Sequence, residues 1–101
     1  MELDKLKDRN GYVKMQLSDT IESMVSDSYI DRFQAEYYQA RIRHDKLLVM
    51  LSKAESEALP FKPKCPLTLL HMQAKAMQEY LDLLIVRAEI EGIDLERVNV
   101  E

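Results

Sequence analysis

The segment ALPFKPKCP, residues 58–66, constrains the fold more than any other part of the sequence. It contains all three prolines of the chain. Because proline lacks an amide hydrogen and restricts the residue before it, no helix continues through this segment. On both sides apolar residues recur three or four positions apart without an intervening glycine or proline. The pattern predicts two long helices joined by a short, stiff connector.

Capping residues mark where the first long helix begins. Ser28 is followed three positions later by Asp31, an arrangement that favours a helix start. The first long helix is therefore predicted over residues 29–57. A short helix is predicted before it, over residues 19–26, where apolar residues also recur at helical spacing.

The second long helix is predicted over residues 66–91. Pro66 suits the first turn of a helix, and Gly92 suits its end. Its apolar stripe, which runs from Leu69 to Ile90, is expected to face the core.

These elements predict an all-α fold, a long antiparallel helical hairpin with a short N-terminal helix. Helices of about 29 and 26 residues extend roughly 40 Å. One hairpin of this length cannot cover its own apolar faces, so we expect a homo-oligomer, most simply a dimer, to complete the core.

The sequence predicts two parts, an N-terminal extension, residues 1–14, and a helical hairpin domain, residues 15–101. The extension is mostly polar, and it contains Asn10-Gly11, a turn dipeptide. Because it lacks a sustained apolar period, we expect a loose leader or a short helix that is dispensable for folding.

Cysteine usage and hydropathy indicate the cellular compartment in which the protein is expected. A single cysteine, Cys65, excludes an internal disulfide framework and fits a reducing environment. No apolar run reaches the roughly 18 residues that cross a bilayer, and no signal peptide is evident. A cytoplasmic protein that does not enter membranes is expected.

The net charge of −4 argues against binding to duplex nucleic acid, which depends on many contacts from Lys and Arg to phosphates. The charge is uneven along the chain. Residues 28–53 carry five basic and three acidic groups, whereas residues 76–101 carry two basic and seven acidic groups. Attraction for a smaller anion is therefore expected in the middle of the chain.

Residues that would indicate catalysis do not occur in a recognisable pattern. His44 and His71 lie on different predicted helices without a second ligand at metal-binding spacing. Cys65 is expected to be a packed structural thiol rather than an activated one. Two glycines, Gly11 and Gly92, cannot form a phosphate-binding glycine loop. We expect a binding protein with no enzyme activity, metal or cofactor.

The stretch RFQAEYYQARIRHDKL, residues 32–47, is the most distinctive. Its polar residues recur at spacings of four, three, four and three, which places them along one line of the helix. On the second helix, three further residues are seven apart and share a face. The first line comprises Arg32, Glu36, Gln39, Arg43 and Lys46, and the second set comprises Gln73, Tyr80 and Arg87.

Two interpretations of these residues remain open. In the first, they form half-buried ion pairs that hold the helices in register, Glu36 with Arg32 or Arg43 and Glu91 with Arg87. In the second, Arg and Lys contact phosphate oxygens while a tyrosine stacks on a base. The second interpretation gives these candidate ligand-binding residues: Arg32, Tyr37, Tyr38, Gln39, Arg43, Lys46, Gln73, Tyr80 and Arg87.

Four segments together resemble a family of small phage and prophage proteins named after crAss-like phages. They are SDTI (residues 18–21), YxxRFxAEYYQxxIRxxKL (29–47), FKPKCP (61–66) and LLxxQxxxMxxYLxxLxxRAEIEGIDL (69–95). The resemblance covers about three quarters of the chain. It implies a phage-encoded protein that acts in the cytoplasm of a bacterial host.

The hairpin architecture is similar to that of the anti-CBASS and anti-Thoeris sponges, phage proteins that sequester cyclic nucleotide immune signals without cleaving them. This similarity implies a small cyclic nucleotide or an ADP-ribose-type ligand. Because a fold does not determine a function, the alternative is a helical module that binds a host or phage protein. The sponge requires basic side chains that converge in an intersubunit pocket, whereas the module requires an exposed apolar patch.

Overall fold

Two long helices form the antiparallel hairpin that the connector predicts. In the computed structural model, which describes residues 11–99, the start of α2 contacts the end of α3, and the end of α2 contacts the start of α3. The longest dimension is 41 Å, close to the expected length. The elements in chain order are β1 (Val13–Lys14), a 3₁₀ turn (Leu17–Thr20), α1 (Ile21–Met24), α2 (Tyr29–Glu55), α3 (Leu67–Glu91) and β2 (Val98–Asn99).

The helix ends follow the local signals of the sequence. Ser28 caps α2, because its hydroxyl oxygen accepts a hydrogen bond of 3.3 Å from the amide of Asp31. α2 ends at Glu55, two residues before the predicted end. Gly92 ends α3 at a φ of 71°, a left-handed conformation that glycine adopts without strain, and its amide donates to the carbonyl of Ala88.

The short N-terminal helix is present but tighter and earlier than predicted. Instead of one helix over residues 19–26, a 3₁₀ turn leads directly into α1. The hydroxyl of Thr20 donates to the carbonyl of Leu17 at 2.7 Å, and Asp19 accepts from the amide of Gln16 at 2.8 Å. These local bonds stabilise the turn, which packs with α1 against α2.

A small parallel strand pair was not predicted from the sequence. β1 and β2 pair with Val13 opposite Val98, and the amide of Val13 donates to the carbonyl of Arg97 at 2.6 Å. Val13 is fully buried and Met15 is nearly so. The expectation of a loose leader or a short helix is therefore wrong for Val13 and Lys14, and for residues 1–10 it lies outside the described residues. The domain boundary between residues 14 and 15 stays a prediction.

The core lies between α2, α3 and the two segments that flank the helices, residues 11–15 and 93–98. These two segments are called the chain ends below. α3 contributes one buried face to it, whereas Leu69 and Ile90, which were expected to face inward, are exposed. Among residues 11–99, no helix is both long and apolar enough to span a bilayer. The core cluster comprises Val13, Met15, Phe33, Tyr37, Tyr38, Ile42, Leu81, Leu84, Ala88 and Ile93.

Candidate ligand-binding surface

Tyr80 and Glu36 join the two long helices near the middle of the hairpin. The hydroxyl of Tyr80 donates to the carboxylate of Glu36. Desolvation by burial and this hydrogen bond raise the pKa of Tyr80 to about 12. Tyr80 as a residue remains 41% exposed, so it can offer an aromatic surface to a ligand while its hydroxyl is held in place.

A second polar group on α3 surrounds Arg87. Its Nη2 donates to the hydroxyl of Tyr29 at 3.2 Å, and that hydroxyl donates to Glu91 at 2.5 Å. Nε of Arg87 lies 3.6 Å from Glu91, which confirms the predicted ion pair, and the guanidinium lies 4.9 Å from the ring centroid of Phe33. The hydrogen bond to Tyr29 is the largest of the effects that raise the pKa of Arg87. This arginine is held by three protein groups.

The other predicted ion pair, Glu36 with Arg32 or Arg43, is wrong. Glu36 accepts from Tyr80, while Nη1 of Arg32 donates to the carbonyl of Ser26 at 2.7 Å and so secures the turn before α2. Arg43 and Lys46 are exposed, and neither makes a hydrogen bond or ion pair with another residue in the range 11–99. Both side chains are therefore available to bind an anion.

The two candidate glutamines contact different parts of the fold. Nε2 of Gln39 donates to the hydroxyl of Thr20 at 3.0 Å and lies equally close to the sulfur of Met24. It therefore joins α2 to the N-terminal turn. Gln73 is exposed on α3, and its amide lies 3.9 Å from the sulfur of Met77.

Tyr37 and Tyr38 both lie in the core. Their rings meet edge to face with centroids 5.5 Å apart. The hydroxyl of Tyr38 accepts from the amide of Glu96 at 2.9 Å, and burial raises its pKa to about 12. Burial also raises the pKa of Tyr37, which is 6% exposed. Stacking of a base on Tyr38 would require this ring to leave the core.

The candidate residues thus divide into separate groups. Tyr80 and Arg87 share one side of α3, and Arg43 lies seven residues after Glu36 on α2, roughly 10 Å along the same side of that helix. Arg32 secures the turn before α2, Gln39 joins α2 to the N-terminal turn, and the remaining tyrosines support the core. Arg43, Lys46, Gln73 and Tyr80 are the members that combine exposure with free binding capacity.

The structure also shows a cavity that sequence reasoning missed. It has a volume of about 390 Å³, lies beside the chain ends, and is lined by Tyr12, Tyr37, Arg41 and Arg97 among others. Arg97 lies 5.5 Å from the ring centroid of Tyr12, and Arg41 pairs with Asp45 at 3.4 Å. Arg41 follows Tyr37 by one helical turn, so helical spacing could have placed these two residues on one face of α2. No sequence pattern indicated that Tyr12 and Arg97 would line the same cavity.

A larger open hollow of about 690 Å³ lies at the connector. Its lining includes Phe61, Lys62 and Lys64. Cys65 also lines it, and this thiol is exposed rather than packed as expected. The two helices beside the hollow are held together by His71, whose Nε2 lies 3.0 Å from Glu55. None of the nine candidate residues reaches this hollow.

A family model described as Sequestin matches residues 27–90, which is more than half of the chain. The chain belongs to the Sequestin family. The matched range contains α2, the connector and α3 up to Ile90, so it covers nearly the whole hairpin. The name Sequestin indicates a protein that sequesters by binding rather than one that catalyses a reaction. No curated protein and no solved structure matches the chain.

The Sequestin match covers all the candidate residues on the hairpin but only part of the cavity beside the chain ends. All nine candidate residues fall within residues 27–90, on the helices that the family shares. The cavity beside the chain ends depends on Tyr12 and Arg97, which lie outside the match. A ligand surface common to Sequestin proteins is therefore better sought on the hairpin than at the chain ends.

Proposed function

We propose that this protein is a phage-encoded sponge that sequesters a cyclic nucleotide immune signal of bacterial anti-phage defence. It binds the signal in the cytoplasm of the host and leaves it chemically unchanged. The observation that carries the proposal is the pair Arg43 and Lys46, exposed on α2 without a partner in the described range. The Sequestin match supports a binding role.

The chemistry of this surface suits a phosphate-bearing ligand. A guanidinium forms two parallel hydrogen bonds to a phosphate, and a lysine one turn away adds a second positive charge. Tyr80 offers a partly exposed ring on which a base can stack. Gln73, one heptad before Tyr80 on α3, offers an amide for the edge of a base.

A titration of the full chain with a panel of cyclic dinucleotides, cyclic trinucleotides and ADP-ribose derivatives tests the proposal. Calorimetry should detect saturable binding of one class, and the ligand recovered after denaturation should be intact by chromatography. A chain that binds none of the panel, or that returns a cleaved product, would contradict the sponge.

A second candidate function is a helical module that binds a host or phage protein. One observation favours it: α3 exposes Leu69, Met72, Leu83, Val86 and Ile90 on a single face. A patch of this kind marks an interaction surface. Co-purification of a stoichiometric foreign protein that blocks this face, with no binding of nucleotides, would favour the module over the sponge.

A further inference from the structure

α3 has a second apolar face that points away from the hairpin. Seven exposed positions recur at spacings of three and four, which is the heptad pattern of a coiled-coil seam. Met72 is 68% exposed and Leu83 is 64% exposed. We call this set the α3 seam, and it comprises Leu69, Met72, Ala76, Glu79, Leu83, Val86 and Ile90.

The seam lies opposite the face that α3 packs against the hairpin. The buried residues Ala74, Leu81 and Ala88 are seven apart and fall half a turn from the seam. A helix that is apolar on two opposite faces is one that is covered on both sides. Nothing within residues 11–99 covers the seam, because α1 packs on α2 and not on α3.

We propose that the α3 seam packs antiparallel against the same seam of a second copy of this chain. Leu69 then lies opposite the partner's Val86, and Met72 lies opposite the partner's Leu83. Ala76 lies opposite the partner's Glu79. Each pairing occurs twice, because a two-fold axis relates the subunits.

Charges beside the seam select this register. The exposed residues Lys75 and Asp82 flank one edge, and in this register each faces the other residue of the partner subunit, giving two opposite-charge pairs. Asp82 already accepts from Gln78 at 2.8 Å, and a carboxylate has further acceptor capacity. Lys75 has no partner within the described range.

The competing registers bring like charges together. Parallel in-register pairing sets Glu79 against the partner's Glu79. The antiparallel register displaced by one heptad sets Asp82 against the partner's Asp82. In the proposed register Glu79 meets only the small Ala76, which leaves room for its carboxylate to reach water.

The hairpin lowers the entropic cost of this dimer. Most of the stability of a helix in a protein comes from packing, and α3 is already ordered by its packing on α2. The paired segment, residues 69–86, is roughly 27 Å long. Its formation therefore requires side chains to be ordered but not a new helix.

The opposite edge of the seam carries candidate ligand-binding residues. Gln73 and Tyr80 flank that edge, and in the proposed register Gln73 faces the partner's Tyr80. Side chains of both copies then line one rim beside Glu36. The dimer itself does not depend on the proposed function, whereas this assignment of a shared rim does.

The first test is the mass of the full chain in solution, measured by sedimentation equilibrium. The wild type should be a dimer at micromolar concentration. Val86→Asp should raise the dimer dissociation constant by at least ~100-fold, because it buries an unpaired charge, and should leave the helical content unchanged. Val25→Asp is the matched control and should remain dimeric, since Val25 is 73% exposed at the end of α1, which packs on α2 and not on α3.

A charge exchange tests the register. Lys75→Asp should weaken the dimer by about tenfold, and the double variant Lys75→Asp with Asp82→Lys should recover it. A monomeric wild type, or a Val86→Asp variant that stays dimeric, would overturn the seam as an interface between copies. A double variant weaker than Lys75→Asp alone would overturn the register. If the wild type is a dimer but shows no nucleotide binding in the calorimetric titration, that result contradicts only the proposed function.

Discussion

Tyr80 on α3 donates a hydrogen bond to Glu36 on α2, which joins positions 44 residues apart in the chain. It is one of several polar contacts between the two helices, with those of Tyr29 to Glu91 and of His71 to Glu55. Glu36 makes no ion pair with Arg32 or Arg43, and Arg43 has no partner within the described residues. Arg43 is therefore available for a ligand.

Tyr80→Phe should lower the free energy of unfolding by about 0.5 to 1.5 kcal/mol, the net value of one hydrogen bond. The loss is modest because exposed Glu36 can be hydrated again. Glu36→Gln keeps an acceptor and serves as the control, with a smaller effect. Urea unfolding measures both. An unchanged midpoint for Tyr80→Phe would show that the bond does not form in solution.

Stability should fall as the pH rises from 10 to 12. Tyr38 and Tyr80 each have a pKa of about 12 in the folded chain, above the ordinary value of 10.0. Between these values the unfolded chain has lost protons that the folded chain keeps, so the free energy of unfolding decreases. The stabilisation is fully present below pH 10. For buried Tyr38 it amounts to roughly 3 kcal/mol, at about 1.4 kcal/mol per pKa unit.

The Tyr38→Phe variant isolates this effect from other alkaline changes. Urea unfolding of the wild type and the variant at several pH values should show a shallower decline for the variant. Parallel declines would contradict the assignment of the titration to Tyr38.

The long helices were predictable because their signals are local. Ser28, Gly92 and the prolines act within a few residues of the boundary that each one sets. The strand pair was not predictable, since Val13 and Val98 are far apart in the chain and each strand has only two residues. Only the folded hairpin brings them together.

Leu84→Ala should lower the free energy of unfolding by about 2 to 5 kcal/mol, because it empties a core site. Leu84 is 1% exposed. Leu48→Ala, at a position that is 45% exposed on α2, is the control and should change stability by less than about 0.5 kcal/mol. Equal effects of the two substitutions would mean that the core is drawn on the wrong face of α3.

A chain that begins at Met15 should be less stable than one that begins at Gly11. The shorter chain lacks Val13, which is fully buried and bonded to Arg97. Burial of a valine contributes about 1.5 to 3 kcal/mol, and each kcal/mol shifts the melting temperature by roughly 4 to 8 °C in a chain of this size. Equal melting temperatures would restore the expectation that residues 11–14 are dispensable for folding.

The candidate site was only partly readable from the sequence. Helical spacing placed Arg43 and Lys46 on one line, and the structure leaves both exposed. Spacing could not reveal that Tyr38 is a core residue, because the stretch is rich in aromatic and polar residues on several faces. Nor could it show which of the two apolar faces of α3 packs inward.

Calorimetric titration of Arg43→Ala with the ligand that the wild type binds tests the central claim most directly. Arg41→Ala is the matched control, because Arg41 lies two residues away and lines the cavity at the chain ends. Arg43→Ala should abolish detectable binding and keep the wild-type melting temperature, whereas Arg41→Ala should still bind. Binding that survives Arg43→Ala and is lost in Arg41→Ala would contradict the account and place the ligand in the other cavity.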